Sequence, residues 1–367
     1  MPPRTTTWQL DDHTLGKHRV LEKYMEAWLP KLLGGSRQVL FIDGFAGPGE
    51  YSRGEKGSPI IAVRSLTDHS AYSRMRGQIT FMFIEKEPER AQHLVGVVRR
   101  YKDKLPENSI RIYNSTFSEQ MTKILDSYER SLGGLPPAFV MIDPFGIKGA
   151  PMNVIRRVLA RPSTEVYISF MHDYIKRFLG TPEFESHLDD LFGCSDWREG
   201  KDGTDGKDRM KFLHELYEKC LRRAGAKYVL KFKLYKSERP FYTIFFATQR
   251  LEGCDVMKEA MWKTAPFGDY KFKSGTANQL TLGIEPTDFE PLSTALLDEY
   301  SHGEWVTIDE VEEFVMSDKT DYHTGHLKRQ TLLPMERANI LKVDSDAPRS
   351  KGHYPPGTRL LFQRPWF

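Results

Sequence analysis

The chain has 367 residues, room for one large domain of roughly 250–290 residues and a small one of about 75. Its 53 basic residues face 50 acidic ones, a formal net charge of +3, which excludes a polycation of the histone kind and confines any nucleic-acid surface to a local patch. The three cysteines, Cys194, Cys220 and Cys254, are far apart and lack zinc or iron–sulfur spacing. With no apolar leader and no run near the roughly 18 apolar residues of a membrane span, a cytoplasmic, metal-free protein is expected.

Leu21 to Leu33 places Leu21, Tyr24, Met25, Trp28 and Leu32 at helical spacing before Gly34-Gly35 ends the helix. Val39 to Ile42 reads as the first strand, followed by a glycine-rich turn and a helix that Ser58 caps and Pro59 opens. The unit then repeats: strand Ile79 to Ile84, helix Pro88 to Lys102, strand Ile110 to Tyr113, helix Ser118 to Arg130, strand Ala138 to Ile142, helix Pro151 to Leu159, strand Glu165 to Phe170. Apolar strands alternating with amphipathic helices predict a buried, doubly wound sheet. Asp173 to Gly206 breaks the rhythm and reads as an insertion over the active-site edge. Helix Arg209 to Arg223 follows, and strands Tyr228 to Tyr235 and Phe241 to Thr248 predict a closing hairpin at the sheet edge. After a helix bearing Val256, Met257, Ala260, Met261 and Trp262, the polar stretch Gly268 to Pro286 reads as a linker. Helices Leu292 to Tyr300, Thr307 to Met316 (capped by Thr307) and His323 to Ala338, then strands Ile340 to Val343 and Thr358 to Phe362, predict a winged helix-turn-helix.

Two motifs carry chemistry. After strand one, Asp43-x-Phe45-Ala46-Gly47-x-Gly49 supplies the small residues a backbone needs to approach a cofactor closely, with Gly47 and Gly49 at the contact. Glu85, ending strand two, can accept both ribose hydroxyls of a nucleoside cofactor, or can cap the helix that starts at Pro88. The glycine order differs from the G-x-G-x-x-G of dinucleotide folds, so S-adenosylmethionine is expected over NAD. Asn114 is either an adenine partner or a turn residue. After strand four, Asp143-Pro144-Phe145-Gly146 places a carboxylate at the sheet edge where open α/β folds bind ligands. Asp143 and the Pro144 carbonyl can align an exocyclic amine while Phe145 stacks on a base; the alternative is a simple turn cap. This motif resembles the D-P-P-Y/F of amino-methylating enzymes, without the second proline, and the D-P-F-G of some transfer-RNA guanine methyltransferases.

With His13-Thr14, Lys17-His18, Tyr24, Trp28, the run Phe41 to Gly49, Gly57-Ser58-Pro59, Asp143 to Gly146 and Met257 to Trp262 in place, the chain resembles the three-Cys-motif partner family (TcmP) over nearly its whole length. The resemblance implies an α/β fold, a Rossmann-like doubly wound sheet of class I S-adenosylmethionine-dependent methyltransferase type over 1–288, with a winged helix-turn-helix over 289–367. It also implies a radical-SAM-type partner protein carrying three cysteines. Lys17 and His18 either project over the cofactor or are solvated, and Met261 and Trp262 read as core. Lys231, Lys233, Lys236 and Arg239 form either a phosphate strip or an edge-strand guard against aggregation. In the C-terminal domain, His323, His326, Lys328, Arg329 and Arg337, with Arg349 and Lys351 of the wing, suit a phosphate backbone, although the acidic helix around Asp309 to Glu313 also suits a protein partner.

Overall fold

The computed structural model describes residues 5–201, 206–236, 239–265, 271–273, 288–344 and 350–364. In chain order its helices and strands are α1 (Asp12–Gly35), β1 (Gln38–Asp43), α2 (Ser58–Thr67), β2 (Gln78–Glu85), α3 (Pro88–Val98), β3 (Ile110–Asn114), α4 (Phe117–Leu132), β4 (Ala138–Ile142), α5 (Met152–Leu159), β5 (Thr164–Phe170), α6 (His172–Phe178), α7 (Glu185–Phe192), α8 (Gly206–Arg223), β6 (Tyr228–Lys236), β7 (Arg239–Thr248), α9 (Leu251–Thr264), β8 (Lys271–Lys273), α10 (Glu290–Tyr300), β9 (Val306–Thr307), α11 (Ile308–Met316), α12 (Leu333–Arg337), β10 (Leu341–Asp344) and β11 (Arg359–Phe362). They form two units, Met1–Arg250 with Lys271–Gln279, and Leu251–Tyr270 with Leu280–Phe367.

The first unit is built on one sheet of order β3-β2-β1-β4-β5-β7-β6-β8. Strands β1 to β5 are parallel, and β7 lies antiparallel between β5 and β6. That arrangement is the methyltransferase-like Rossmann topology. The central strands β1, β4 and β5 are buried along nearly their whole length because both faces are covered, whereas the edge strand β3 is partly exposed and β6 alternates. Leu40, Ile42, Val140 and Ile168 pack into one core with Met121, Ile155 and Tyr217. On the opposite face Phe41 stacks on Phe139, which meets Tyr24 and Trp28 of α1.

Helix α1 presents Lys17, Leu21, Tyr24 and Trp28, spaced on one helical face and all buried. Tyr24 Oη and Trp28 Nε1 each donate to the buried Glu165 carboxylate at 2.6 Å, a bond pair that sets the register of α1 on β5. The insertion folds as α6 and α7, with Arg198 and Lys201 pairing with Glu185 and Asp189. Two expectations change here. Ser58 is the first residue of α2, not its cap; Gly57 takes that place and the Ser58 hydroxyl serves Asp43 instead. The expected linker contains β8, which pairs parallel with β6; the rest of it, apart from 271–273, lies outside the described residues.

The second unit joins α9, α10, α11 and α12 to a three-stranded antiparallel sheet of order β10-β11-β9. Thr307 and Glu310 form a reciprocal capping box at the start of α11. The division expected at 288/289 assigns α9 to the first domain, whereas α9 packs within the second unit. There the Lys258 side chain, 0% exposed, donates to the carbonyls of Val315, Ser317, Thr320 and Tyr322, and Trp262 Nε1 donates to the Asp321 carbonyl at 2.6 Å. Met261 and Trp262 are core, as expected. The expected helix His323 to Ala338 is broken into a 3-10 turn, a π turn over Lys328–Leu332 and the short α12. Pro334 lacks the N–H that a continuous helix requires, and the Leu332 N–H reaches back five residues to the Leu327 carbonyl at 2.9 Å.

Candidate active site

The order of strands reverses direction at β1 and β4, and ligands of open α/β sheets bind outside the carboxyl ends at such a point. Because β1 and β4 are neighbours in register, with Asp43 opposite Met141, the glycine turn and the Asp143 motif meet in one crevice. The Gly44 N–H donates to the Met141 carbonyl at 2.9 Å and the Ala46 N–H to the Ile84 carbonyl at 3.0 Å. These bonds suspend the turn between β4 and β2. Gly47 (φ +62°) and Gly49 (φ +86°) both lie in the left-handed region, and a Cβ at Gly49 would come within 2.6 Å of Leu94.

Asp43 is wholly buried. Its carboxylate accepts from the Phe45 N–H at 3.1 Å and the Ser58 hydroxyl at 2.6 Å. Burial lifts it to about 6, against those two hydrogen bonds. Glu85 accepts from the Gly47 N–H at 2.8 Å and from the Glu87 N–H at 2.7 Å. It therefore braces the glycine turn and the start of α3 together. Asn114 donates its amide to the carbonyls of Glu85 and Lys86 at 3.0 and 2.8 Å, and so acts on the end of β2.

Asp143 does not cap its own turn. Lys17, 126 positions earlier, donates its ammonium to the Asp143 carboxylate. Burial pushes Asp143 up, but the Lys17 charge and hydrogen bond outweigh it and hold the carboxyl below its ordinary range. Lys17 and His18 are both buried, not solvated. Burial and the Lys17 charge pull His18 down to about 3, so its ring is neutral. The Pro144 carbonyl already accepts from the Gly146 N–H at 3.0 Å. Phe145 is 49% exposed.

Three residues that the motifs alone did not mark as site residues complete the crevice: Trp8, Tyr51 and, as a partner of Asp43, Ser58. Trp8 lies over the glycine turn, 3.7 Å from where a Gly47 Cβ would be. It makes edge contacts with Tyr51 and Phe145 at 5.7 and 5.8 Å between ring centroids, and Arg90 lies 4.9 Å from its ring. Its carbonyl accepts from the Ser52 N–H at 2.9 Å, tying the N-terminal segment to the 50–57 loop. The space enclosed by Trp8, His18, the Phe45–Tyr51 turn, Asp143 and Phe145 is only about 40 Å³. No periodic pattern surrounds Trp8, so only its aromatic character marks it in the sequence.

The other expected contact residues fare unevenly. Lys231 is neutralised by Glu218 at 2.7 Å, and the side chains of Lys236 and Arg239 lie outside those described. Lys328 pairs with Glu312 at 2.7 Å, while Arg329, Arg337 and Lys351 are exposed; Arg349 lies outside the described residues. His323 and His326 pack ring against ring, 3.8 Å between centroids, and His326 also meets Trp262. Burial lowers both, His326 to about 3. Both rings are partly buried, and His326 is neutral, so it carries no charge for the phosphate contact expected of it.

No family model matches the chain, and no curated protein matches it either. Among solved structures, it overlaps Trm1 from Pyrococcus horikoshii in complex with S-adenosyl-L-methionine at a TM-score of 0.38 and 9% identity, covering 72% of this chain and 62% of that one. It overlaps the O-methyltransferase TomG from Streptomyces achromogenes at a TM-score of 0.34 and 13% identity, covering 66% and 92%. A putative O-methyltransferase from Klebsiella pneumoniae gives a TM-score of 0.32 and 14% identity, covering 68% and 92%. At this level of overlap, fold and site rest on the strand order and side chains described above. Among the described residues no helix is long and apolar enough to cross a membrane.

Proposed function

We propose that the chain is an S-adenosylmethionine-dependent methyltransferase acting on an amine of a nucleic-acid base. The observation that carries this reading is the meeting of the glycine turn, Glu85 and the Asp143-Pro144-Phe145 motif at the β1/β4 crevice. The donor set suits a nucleoside sulfonium. Each Glu85 oxygen accepts one backbone N–H and keeps a second lone pair for a ribose hydroxyl. Asp43, Glu85 and Asp143 against Lys17 and the Arg90 beside Trp8, with neutral His18, leave a net negative crevice that favours a cation. When bound, S-adenosylmethionine supplies an electrophilic methyl group. Asp143 would accept the N–H of the acceptor and fix the direction of its lone pair, while Phe145 holds the base by stacking.

An enclosed volume of about 40 Å³ holds a few waters, whereas nucleoside-sized ligands take several hundred. In this reading Trp8 and the 50–57 loop move aside as the cofactor enters. That closure favours a second reading, a noncatalytic module that presents nucleic acid to the radical-SAM-type three-cysteine partner of the TcmP resemblance. In either reading the second unit acts as a winged helix in the cytoplasm, its helix–strand–helix–helix–hairpin order supporting this and Lys328, Arg329, Arg349 and Lys351 meeting the phosphates.

Labelled-cofactor binding and methyl transfer to bulk RNA and DNA separate the readings. The enzyme reading expects binding that Gly47→Asp and Glu85→Ala abolish, and transfer that Asp143→Ala abolishes with binding retained. Absence of cofactor binding, with nucleic acid still bound, would leave only the presenting module.

A further inference from the structure

The loop after β4 and the insertion that follows β5 share a wall at the mouth of the crevice. Phe145, 49% exposed, sits beside Asp143. The next residue, Gly146, lies against Tyr174 of α6, whose Cδ1 is 3.6 Å from the position of a Gly146 Cβ. The Arg177 guanidinium is 5.7 Å from the Tyr174 ring centroid. Lys148, three residues after Phe145, places its ammonium 4.9 Å from the ring centroid of Phe184, and Phe184 is itself stacked on Phe178 at 4.0 Å. Lys148 and Arg177 are exposed. Two ring–cation pairs, Tyr174 with Arg177 and Phe184 with Lys148, thus lie on the segments beside Phe145.

We infer that this wall, Phe145, Lys148, Tyr174, Arg177 and Phe184, is a binding track for single-stranded nucleic acid leading to Asp143. The inference rests on the methyltransferase reading for its purpose, but its binding surface stands apart from it. A backbone of phosphates needs cations at intervals, and unpaired bases offer faces to aromatic rings; the wall supplies both. In a duplex those faces are already stacked on one another, so Phe145 and Tyr174 would find no surface to cover. An acidic peptide could meet Lys148 and Arg177 but lacks the aromatic face at every unit that a strand of bases offers the rings. Because a base must stand clear of its stack before its exocyclic amine can reach a buried carboxylate, a track for unpaired strands suits the crevice it serves.

The test is fluorescence anisotropy of the full chain with labelled RNA and DNA single strands of about 12 nucleotides, the same sequences as duplexes, and an acidic peptide. The expected result is preferential single-strand binding, weakened about tenfold or more by Lys148→Glu with Arg177→Glu. The slope of log affinity against log salt should also flatten by roughly one to two units, at about 0.7 for each phosphate that the protein no longer neutralises. Tyr174→Ala should weaken binding and Tyr174→Phe should restore it, with the unfolding midpoint of the Tyr174→Ala protein near the wild type's to separate lost stacking from lost folding. Lys123→Glu, an exposed reversal on α4, should change nothing. Unchanged single-strand binding in the Lys148→Glu, Arg177→Glu variant, tighter binding of the peptide, duplex binding weakened as much as single-strand binding by that variant, or no single-strand binding at all would overturn the track. Cofactor binding measured on the same protein reports separately: its failure with single-strand binding intact removes the enzyme and leaves the track.

Discussion

Lys17 of α1 and Asp143 after β4 form an ion pair inside the crevice, both partners sheltered and 126 positions apart. Lys17 is held there by the register of its helix, since Tyr24 one heptad on is bonded to Glu165. The pair joins the N-terminal helix to the strand-four motif and fixes which way the Asp143 carboxylate faces. Replacing Lys17 with Met leaves the carboxylate without its cation. With 26% of the Asp143 side chain exposed, the expected cost is about 1–3 kcal/mol, below that of a fully buried pair, read by urea unfolding. The folded pKa of Asp143 is depressed, so its contribution is present above the unfolded value and is lost as pH falls through the folded one. The wild-type chain should therefore lose more stability than Lys17→Met on acidification below about pH 4. Parallel acid limbs in the two proteins would show that Lys17 does not stabilise the charged form.

Asp43 carries the opposite sign. Its folded pKa of about 6 exceeds the unfolded 3.8, so the folded state binds the proton more tightly and stability declines as pH rises from about 4 to 6. Asp43→Asn removes that decline. Since the Phe45 N–H can still donate to the Asn oxygen and the Ser58 hydroxyl can turn to accept from the Asn amide, the variant should equal the wild type near pH 4 and exceed it by about 1–3 kcal/mol at pH 7. Chemical denaturation across that range decides it, and a variant that is less stable at pH 7 refutes the raised value.

Trp8 covers Gly47 and braces Tyr51 and Phe145. If it must leave before a nucleoside enters, Trp8→Ala should tighten S-adenosylmethionine or S-adenosylhomocysteine binding by about threefold to tenfold, because the competent state no longer competes with the closed one. Calorimetric titration measures this. Weaker binding would mean that the indole forms part of the cofactor's wall.

In the second unit, the Lys258 ammonium is surrounded by backbone carbonyls. Burial draws it down to about 8, which still leaves it charged at neutral pH. Lys258→Met strands those acceptors without a donor and should destabilise the second unit by about 3–5 kcal/mol. Hydrogen exchange localised to α11 and the segment after it, with α2 to α5 unaffected, is the expected signature. Protection lost equally in both units would contradict the assignment of α9 to the second.

Strands β1, β2 and β4 were readable from the chain because central strands of a parallel sheet are buried on both faces and run as largely unbroken apolar stretches, and β3 and β5 by their place in the strand–helix repeat. The glycine turn and Asp143-Pro144-Phe145 were readable because each follows such a strand directly, and the strand order brings both to one crevice. The amphipathic stripe of α1 announced that one face is buried, but periodicity carries no information about what lies opposite. Whether Lys17 was solvated or bound, and to which carboxylate, was decided only when α1 docked on β4 and β5. The same limit applies to α9, whose apolar face suits either unit until Lys258 meets its carbonyls, and to His326, a cationic candidate by type but neutral once its ring is sheltered against Trp262. Trp8 lies in a segment without period, so its place over Gly47 is a tertiary fact alone. The sequence by itself determined the sheet and the two motifs at its edge, through local burial and strand-end chemistry. The tertiary structure decided the charge state and cover of the site, because both depend on partners far away along the chain.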